Sequence, residues 1–331
     1  MRESFIWSKP SLFHFLLLPV ACIYYFIVSL RQLLYSKKIL PTYIPEIPVI
    51  TIGNITLGGN GKTPLVRLIA LHLIQQGYRP AIILRGYPHS PSNPILVTNS
   101  SDHNLVSDEA FMLYLTCNIP VVVCKNRVKS IELLLRLNNC NCIISDDGFQ
   151  YLKLQSTVSI VTIDCSNLNN FYVLPSGPFR ERISRLGKAD QVVVHADSKA
   201  EVPNYLFPYM NKIALSDSRI ISFYETQSKI EIPVADWKLP VRVLVAIAKP
   251  FRFIEALNNS SIIVQECFMY KDHESFDISK HFPSKLATVI SEKDYYRFDP
   301  ATFPSNVWVA RLHYNVEGKL LTFITNKLRK I

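Results

Sequence analysis

Residues 49–64, VITIGNITLGGNGKTP, have the residue types and spacing of a phosphate cradle. An apolar, β-branched run enters a turn containing Gly58, Gly59 and Gly61, and a helical pattern opens at Lys62. Glycines let several backbone N–H groups point inward with no Cβ in the way of a phosphate. The start of the helix adds a partial positive charge, Lys62 is placed to reach β/γ-phosphates, and Thr63 to hold a magnesium ion. The strict pattern asks for glycine at position 56, where Thr56 stands. The remaining glycines keep the loop permissive. The plainer alternative is a glycine-rich strand–helix turn ending in a chance Lys-Thr.

Two acidic groups add to this chemistry. In IISDDG, an apolar strand ends in Asp146, Asp147 and the turn residue Gly148. A carboxylate at such a strand end is where a phosphate-loop enzyme shares magnesium with its loop threonine. On its own the same string is an Asp-Gly turn after a buried strand. In SDEAFMLYL, Ser107 precedes Asp108 and Glu109 at the start of an amphipathic run. That pattern is a helix N-cap with first-turn acids, and it is compatible with a role in a crevice at a sheet edge.

Basic residues and a histidine complete the candidates. LPSGPFRERISRL carries Arg180, Arg182 and Arg185, and Arg85 ends another apolar run before Gly86 and Tyr87. Guanidinium forks suit a phosphorylated headgroup, and a solvated basic loop reads the same way. His273 follows Asp272, which would hold the ring in one tautomer for proton transfer; a solvated loop histidine is the alternative.

Apolar runs at 48–55, 80–84, 119–124, 142–145, 158–164 and 191–195 read as strands, and residues 62–76, 108–117 and 127–138 as helices. This alternation predicts a parallel sheet covered on both faces, with functional residues gathered at the carboxyl ends of its strands. After about Ser216 a second alternation begins, which predicts a smaller α/β domain.

A chain of 331 residues that is 48% hydrophobic has enough apolar surface for two cores. Its formal charge of +10 calls for an anionic partner. Dispersed basic residues without an aromatic-interleaved stripe argue against nucleic acid. Seven scattered cysteines, none paired at metal-ligand spacing, suit reduced thiols and a cytosolic catalytic body. Residues Leu12 to Leu30 are almost wholly apolar and are flanked by Arg2, Lys9, Arg31, Lys37 and Lys38. Such a segment suits a monotopic anchor at an anionic surface, a single span or a core helix. No small-residue cleavage pattern follows it, which argues against a signal peptide.

Taken in order, the apolar N-terminal segment, VITIGNITLGGNGKTP, LRGY, SDEA, IISDDGFQ, LPSGPFRERISRLGKAD, AIAKPFRF, Asp272-His273 and Ser291-Glu-Lys-Asp294 resemble the tetraacyldisaccharide 4'-kinase family over nearly the full length. The resemblance implies an α/β fold: a phosphate-loop NTPase-type, mostly parallel sheet domain over 41–216. A smaller α/β domain over 217–331 and an N-terminal membrane-associating helix over 1–40 would complete it. It implies transfer of the ATP γ-phosphate to the 4'-hydroxyl of a tetraacylated glucosamine disaccharide 1-phosphate, a lipid substrate at the cytoplasmic face of the inner membrane. No obligate protein partner follows from it.

By that similarity Thr56, Leu57, Gly58, Gly59, Asn60, Gly61, Lys62 and Thr63 would bind ATP. Mg2+ would lie on Thr63 and Asp146, with Asp147 and Glu109 as further acids near the metal. Asp108 would be the catalytic acid–base carboxylate, supported by His273; Lys62 would be catalytic through its hold on the phosphates, and Arg85, Arg180 and Arg185 would meet the substrate. The chain departs from the family pattern at Tyr151, where histidine is usual, and at Arg182 and Ala110, where proline is common. A phosphate loop also occurs in two other classes of protein. A GTPase switch would need Asn/Thr-Lys-x-Asp, which the sequence lacks. An ATPase coupled to a transporter would hydrolyse ATP without added lipid.

Overall fold

The computed structural model describes residues 12–330 except 60, 87–91, 166–167, 197, 273, 275, 283–284 and 299–301. The chain forms two compact units, one of Met1–Asp217 with Val316–Ile331 and one of Ser218–Asn315.

The first unit opens with two helices, α1 (Leu12–Leu16) and α2 (Leu18–Ser36). Its sheet is built on β1 (Val49–Asn54), buried along its whole length. Then follow α3 (Lys62–Gln75), β2 (Pro80–Leu84), the short β3 (Ile95–Leu96), α4 (His103–Val106) and α5 (Asp108–Cys117). The chain continues through β4 (Val121–Val123), α6 (Arg127–Leu137), β5 (Cys142–Ser145), β6 (Val158–Ile163), β7 (Gln191–His195) and β8 (Ile213–Glu225).

β1 pairs in parallel with β5 on one side, Thr51 opposite Ser145, and with β6 on the other, Asn54 opposite Thr162. Outward from β5 lie β2 and β4, both parallel, then β3 as an antiparallel edge. Outward from β6 lie β7 and the first residues of β8. Runs such as PAIIL, VVV and CIIS are buried at every position because helices cover both sheet faces. α3 buries Leu65, Val66, Ile69, Ala70 and Leu73. The strand order reverses at β1, so its carboxyl end opens a crevice.

In the second unit, β8 forms a hairpin with β9 (Glu231–Pro233), Ser222 opposite Pro233. β10 (Val241–Val245) pairs in parallel with β11 (Val264–Met269) and β12 (Ala287–Ser291), and β12 with β13 (Val307–Val316). The helices of this unit are α7 (Pro250–Asn259) and α8 (Glu292–Tyr295).

The last helix, α9 (Gly318–Leu328), was expected in the smaller domain but belongs to the first unit. Glu317 holds it there: its Oε2 accepts from Leu215 N at 3.1 Å and its own N–H donates to Leu215 O at 2.9 Å. His72 Nε2 on α3 lies 3.0 Å from Thr325 Oγ1.

Candidate active site

The glycine-rich turn takes the shape its residues allow. Gly58 at φ +93° and Gly61 at φ +70° occupy the left-handed region, and Gly61 is the residue before the first turn of α3. Gly53 serves a different need: a Cβ there would lie 2.5 Å from Phe149 Cβ, so β1 touches the chain just beyond the double aspartate.

The first half of the turn is fastened by an antiparallel contact. Leu57 N donates to Pro178 O and Arg180 N to Ile55 O, each at 2.8 Å, with Thr56 bridged to Phe179. Thr56, Leu57, Gly58, Gly59, Gly61, Lys62 and Thr63 therefore form the expected strand–turn–helix. Asn60 lies outside the described residues.

Lys62 Nζ sits 2.6 Å from Asp147 Oδ1. The same carboxylate receives Arg180, whose Nη1 donates to Oδ1 at 3.2 Å and to Oδ2 at 3.1 Å. Burial alone would push Asp147 up, but Lys62 and Arg180 together hold it down to about 2. Asp146 shows the opposite balance. Burial drives its carboxyl up to about 6; Lys62 pulls down, while the negative charges of Asp147 and Glu109 push up further. Its Oδ1 accepts from Asp147 N at 2.8 Å. The charge of Glu109 is felt at Asp146, so the start of α5 lies near this strand end.

Asp108 is buried as the first residue of α5. Ser107 caps that helix, accepting from Ala110 N at 3.4 Å, with φ +71° and ψ 147°. For a residue with a Cβ, such a conformation costs of order 1–3 kcal/mol and persists only where the surroundings impose it. That strain immediately precedes the proposed base.

Sequence reasoning missed Arg127. It is buried at the start of α6, and its Nη2 donates at 2.7 Å to the carbonyls of both Asp146 and Asp147. The two carbonyls lie close together because Asp147 turns back at φ +47°. The guanidinium also lies 5.1 Å from the ring of Tyr151, whose hydroxyl donates to Asn126 Oδ1 at 3.1 Å. Nothing local marks Arg127, since its partners are some 20 residues further along. Asn54 was likewise unseen. Its amide is fully buried at the end of β1, with neither polar atom hydrogen-bonded among the described residues.

The substrate arginines separate. Arg85 is exposed at the end of β2; burial is what mainly lowers Arg127, and the charge of Arg85 adds to it. Arg180 joins Asp147, and Arg185 pairs with Glu181 at 2.8 Å beneath the ring of Phe149. A cleft of about 180 Å3 opens between α2 and this basic loop, lined by Tyr24, Gln32, Arg180, Arg185 and Lys188 among others. His273 lies outside the described residues; its neighbour Asp272 pairs with Lys293 at 3.2 Å in the second unit.

α2 has two distinct faces. Tyr24, Tyr25, Val28, Ser29 and Gln32 are half-buried, whereas Val20, Ile23, Phe26, Ile27, Leu30 and Leu33 are exposed. It is the one helix among the described residues long and apolar enough to cross a membrane.

Three comparisons relate the chain to known proteins. The profile of the family described as tetraacyldisaccharide-1-P 4'-kinase matches residues 13–329. Among curated proteins, the tetraacyldisaccharide 4'-kinases of Mannheimia succiniciproducens and Pasteurella multocida are 30% and 32% identical, each alignment covering 98% of both chains. A crystal structure of Aquifex aeolicus LpxK in complex with ATP superposes with a TM-score of 0.80 at 25% identity, covering 96% of this chain and 100% of that one.

Proposed function

The chain belongs to the tetraacyldisaccharide-1-P 4'-kinase family, and we infer how its residues carry out that family's reaction. It is an ATP-dependent kinase that moves the γ-phosphoryl group to the 4'-hydroxyl of tetraacyldisaccharide 1-phosphate. The observation carrying our residue assignment is the convergence of Lys62, Arg180, Asp146, Asp147 and Glu109 at the glycine-rich turn.

Phosphoryl transfer asks for positioning and neutralised charge more than for covalent chemistry. The turn amides and Lys62 hold the β- and γ-phosphates, with Asp147 keeping Lys62 and Arg180 aimed at that place. Asp146, a buried carboxylate with like charges nearby, and the Thr63 hydroxyl are hard oxygen donors of the kind Mg2+ takes alongside nucleotide phosphates. Among the described residues no group of three or more His, Cys, Asp or Glu forms a metal cage. When bound, Mg2+ supplies charge neutralisation at the transferring group.

Asp108 takes the 4'-hydroxyl proton as that oxygen bonds to the γ-phosphorus and the bond to the β-phosphate oxygen breaks, releasing ADP. The family resemblance alone assigns His273 a supporting part in this transfer. Arg85 and Arg185 meet the anionic part of the substrate.

The exposed apolar stripe of α2 rests in the membrane interface while its other face stays on the protein. That arrangement favours a helix lying flat over one surrounded by lipid. ATP supply places the body on the cytoplasmic face. Deleting residues 1–40 is expected to move the protein from membrane to soluble fractions; unchanged fractionation would refute the anchor. The reaction is tested by incubating the enzyme with ATP, Mg2+ and tetraacyldisaccharide 1-phosphate and analysing product mass. One added phosphate at the 4' position is expected, and unmodified glycolipid beside folded enzyme would overturn the reading.

A further inference from the structure

The segment 178–182 lies between two elements with different tasks. On one side it pairs with the phosphate-binding turn, through Leu57 N to Pro178 O and Arg180 N to Ile55 O. On the other side α2 holds it at three points. Tyr24 Oη donates to Arg180 O at 2.9 Å, Gln32 Nε2 to Glu181 Oε2 at 2.7 Å, and the Arg182 guanidinium stacks 3.6 Å from the centre of the Tyr25 ring.

Arg180 is the shared residue. Its N–H goes to Ile55, its carbonyl to Tyr24 of α2, and its guanidinium to Asp147, which in turn holds Lys62. Phe179, wholly buried beside it, keeps the segment from adjusting independently. A packed core transmits displacement because it has little room to absorb it.

We propose that the Tyr24, Tyr25 and Gln32 face of α2 positions the nucleotide site, with Arg182 as the strut that locks α2 to the turn-pairing segment. The membrane-facing helix then has two roles on two faces. Its exposed stripe meets lipid, and its docked stripe sets Arg180, Asp147 and Lys62 for the triphosphate. These are positioning residues: none of them needs to touch ATP. The inference rests on the reading of the glycine-rich turn as the ATP site.

The strut is built to be sensitive. A cation over an aromatic face contributes about 0.5–1 kcal/mol when exposed and about 2 when desolvated. Arg182 is exposed, so its replacement by alanine should weaken ATP binding by about 2- to 5-fold, the range that about 0.5–1 kcal/mol spans. The effect appears in detergent with no lipid present, where a role confined to membrane binding or acceptor binding would leave ATP affinity unchanged.

The test is equilibrium titration of MgATP into the full chain, without glycolipid, for wild type, Arg182→Ala, Tyr25→Ala, Arg182→Lys and Lys62→Ala, well below each melting temperature. Arg182→Ala and Tyr25→Ala should both weaken binding, and Arg182→Lys, which keeps a cation over the ring, should recover most of it. If those two alanine variants bind ATP as wild type does while Lys62→Ala does not, the coupling is refuted and the nucleotide site stands. If Lys62→Ala also binds ATP normally, the site assignment itself fails. Failure of Arg182→Lys to recover affinity would also overturn the strut.

Discussion

Two acidic turns follow buried parallel strands, one after β5 and one after β12, and they are put to different uses. Asp294, beyond β12, is wholly enclosed. Its carboxylate accepts from Ser291 Oγ at 2.7 Å, from Ala246 N at 3.2 and 3.3 Å, and from Arg297 Nη1 at 3.2 Å. Arg297 also reaches Ala246 O. Four acceptor sites meet neighbours fixed by the local fold, so the carboxylate is saturated and immobile. Asp147, after β5, instead faces the ends of two long cationic side chains, each able to swing to a phosphate. Beside it, Asp146 is buried among like charges. A carboxylate held by a backbone N–H, a hydroxyl and a buried arginine fastens a loop; one whose partners are two more exposed cations holds a charged site ready.

The largest effect should separate chemistry from stability on the first side. A positioned general base contributes roughly 10²–10⁴-fold, so Asp108→Ala is expected to lower turnover by about that much with ATP affinity retained. Single-turnover kinetics beside nucleotide titration check it. Near-normal turnover would remove Asp108 from the reaction.

On the other side, Asp294→Ala strands the Arg297 guanidinium and the Ala246 N–H. Breaking a buried pair in this way costs about 3–5 kcal/mol, measurable as a lower denaturant midpoint. The contrast breaks if this variant keeps wild-type stability and loses turnover.

A pH series sharpens the same contrast. Asp146 titrates near 6, above its unfolded value of 3.8, so its protonated form suits the fold. The stability it contributes is present below about 3.8 and lost as pH rises through about 6. Asp147, held near 2, contributes stability above its unfolded value and loses it only as pH falls through about 2. For cation binding the sign is the reverse for Asp146, because a protonated carboxyl is a poor ligand. MgATP affinity should therefore decline as pH drops below about 6, and Asp146→Asn should be weak and flat over that range. A wild-type affinity that does not change between pH 5 and 8 would detach Asp146 from the metal.

Much of this was legible in the residues themselves. Strands covered on both faces announce themselves as unbroken apolar runs, and the glycine turn is fixed by local backbone needs at Gly58 and Gly61. The two-residue β3 carries no period to read, and α9 follows β13 with no break in composition to mark its return to the first unit. The electrostatic pairing of the site was also invisible. Sequence placed Asp147 among acids near the metal, but only tertiary structure turns its carboxylate to Lys62 and Arg180. Arg127 is hidden for a similar reason: an arginine at a helix start is usually solvated, and here a turn from a later strand closes over it.

The smallest expected effect concerns Tyr151, which touches Arg127 and so stands one step behind the acidic turn. Tyr151→Phe keeps the ring against the guanidinium and loses the hydroxyl's bond to Asn126 Oδ1. Asn126 retains its capping bond from Val128 N at 3.1 Å, so no buried acceptor is left bare. The loss should therefore sit at the low end of the 0.5–1.5 kcal/mol of an ordinary hydrogen bond, with turnover unchanged. Tyr151→Ala removes the surface against which Arg127 is held, and should lower turnover more than the phenylalanine variant because Arg127 shapes the Asp146-Asp147 backbone. If the phenylalanine variant alone loses turnover at unchanged stability, the hydroxyl itself reaches the reacting groups. Tyr151 would then belong with Asp108 rather than with the scaffold that Asp294 exemplifies.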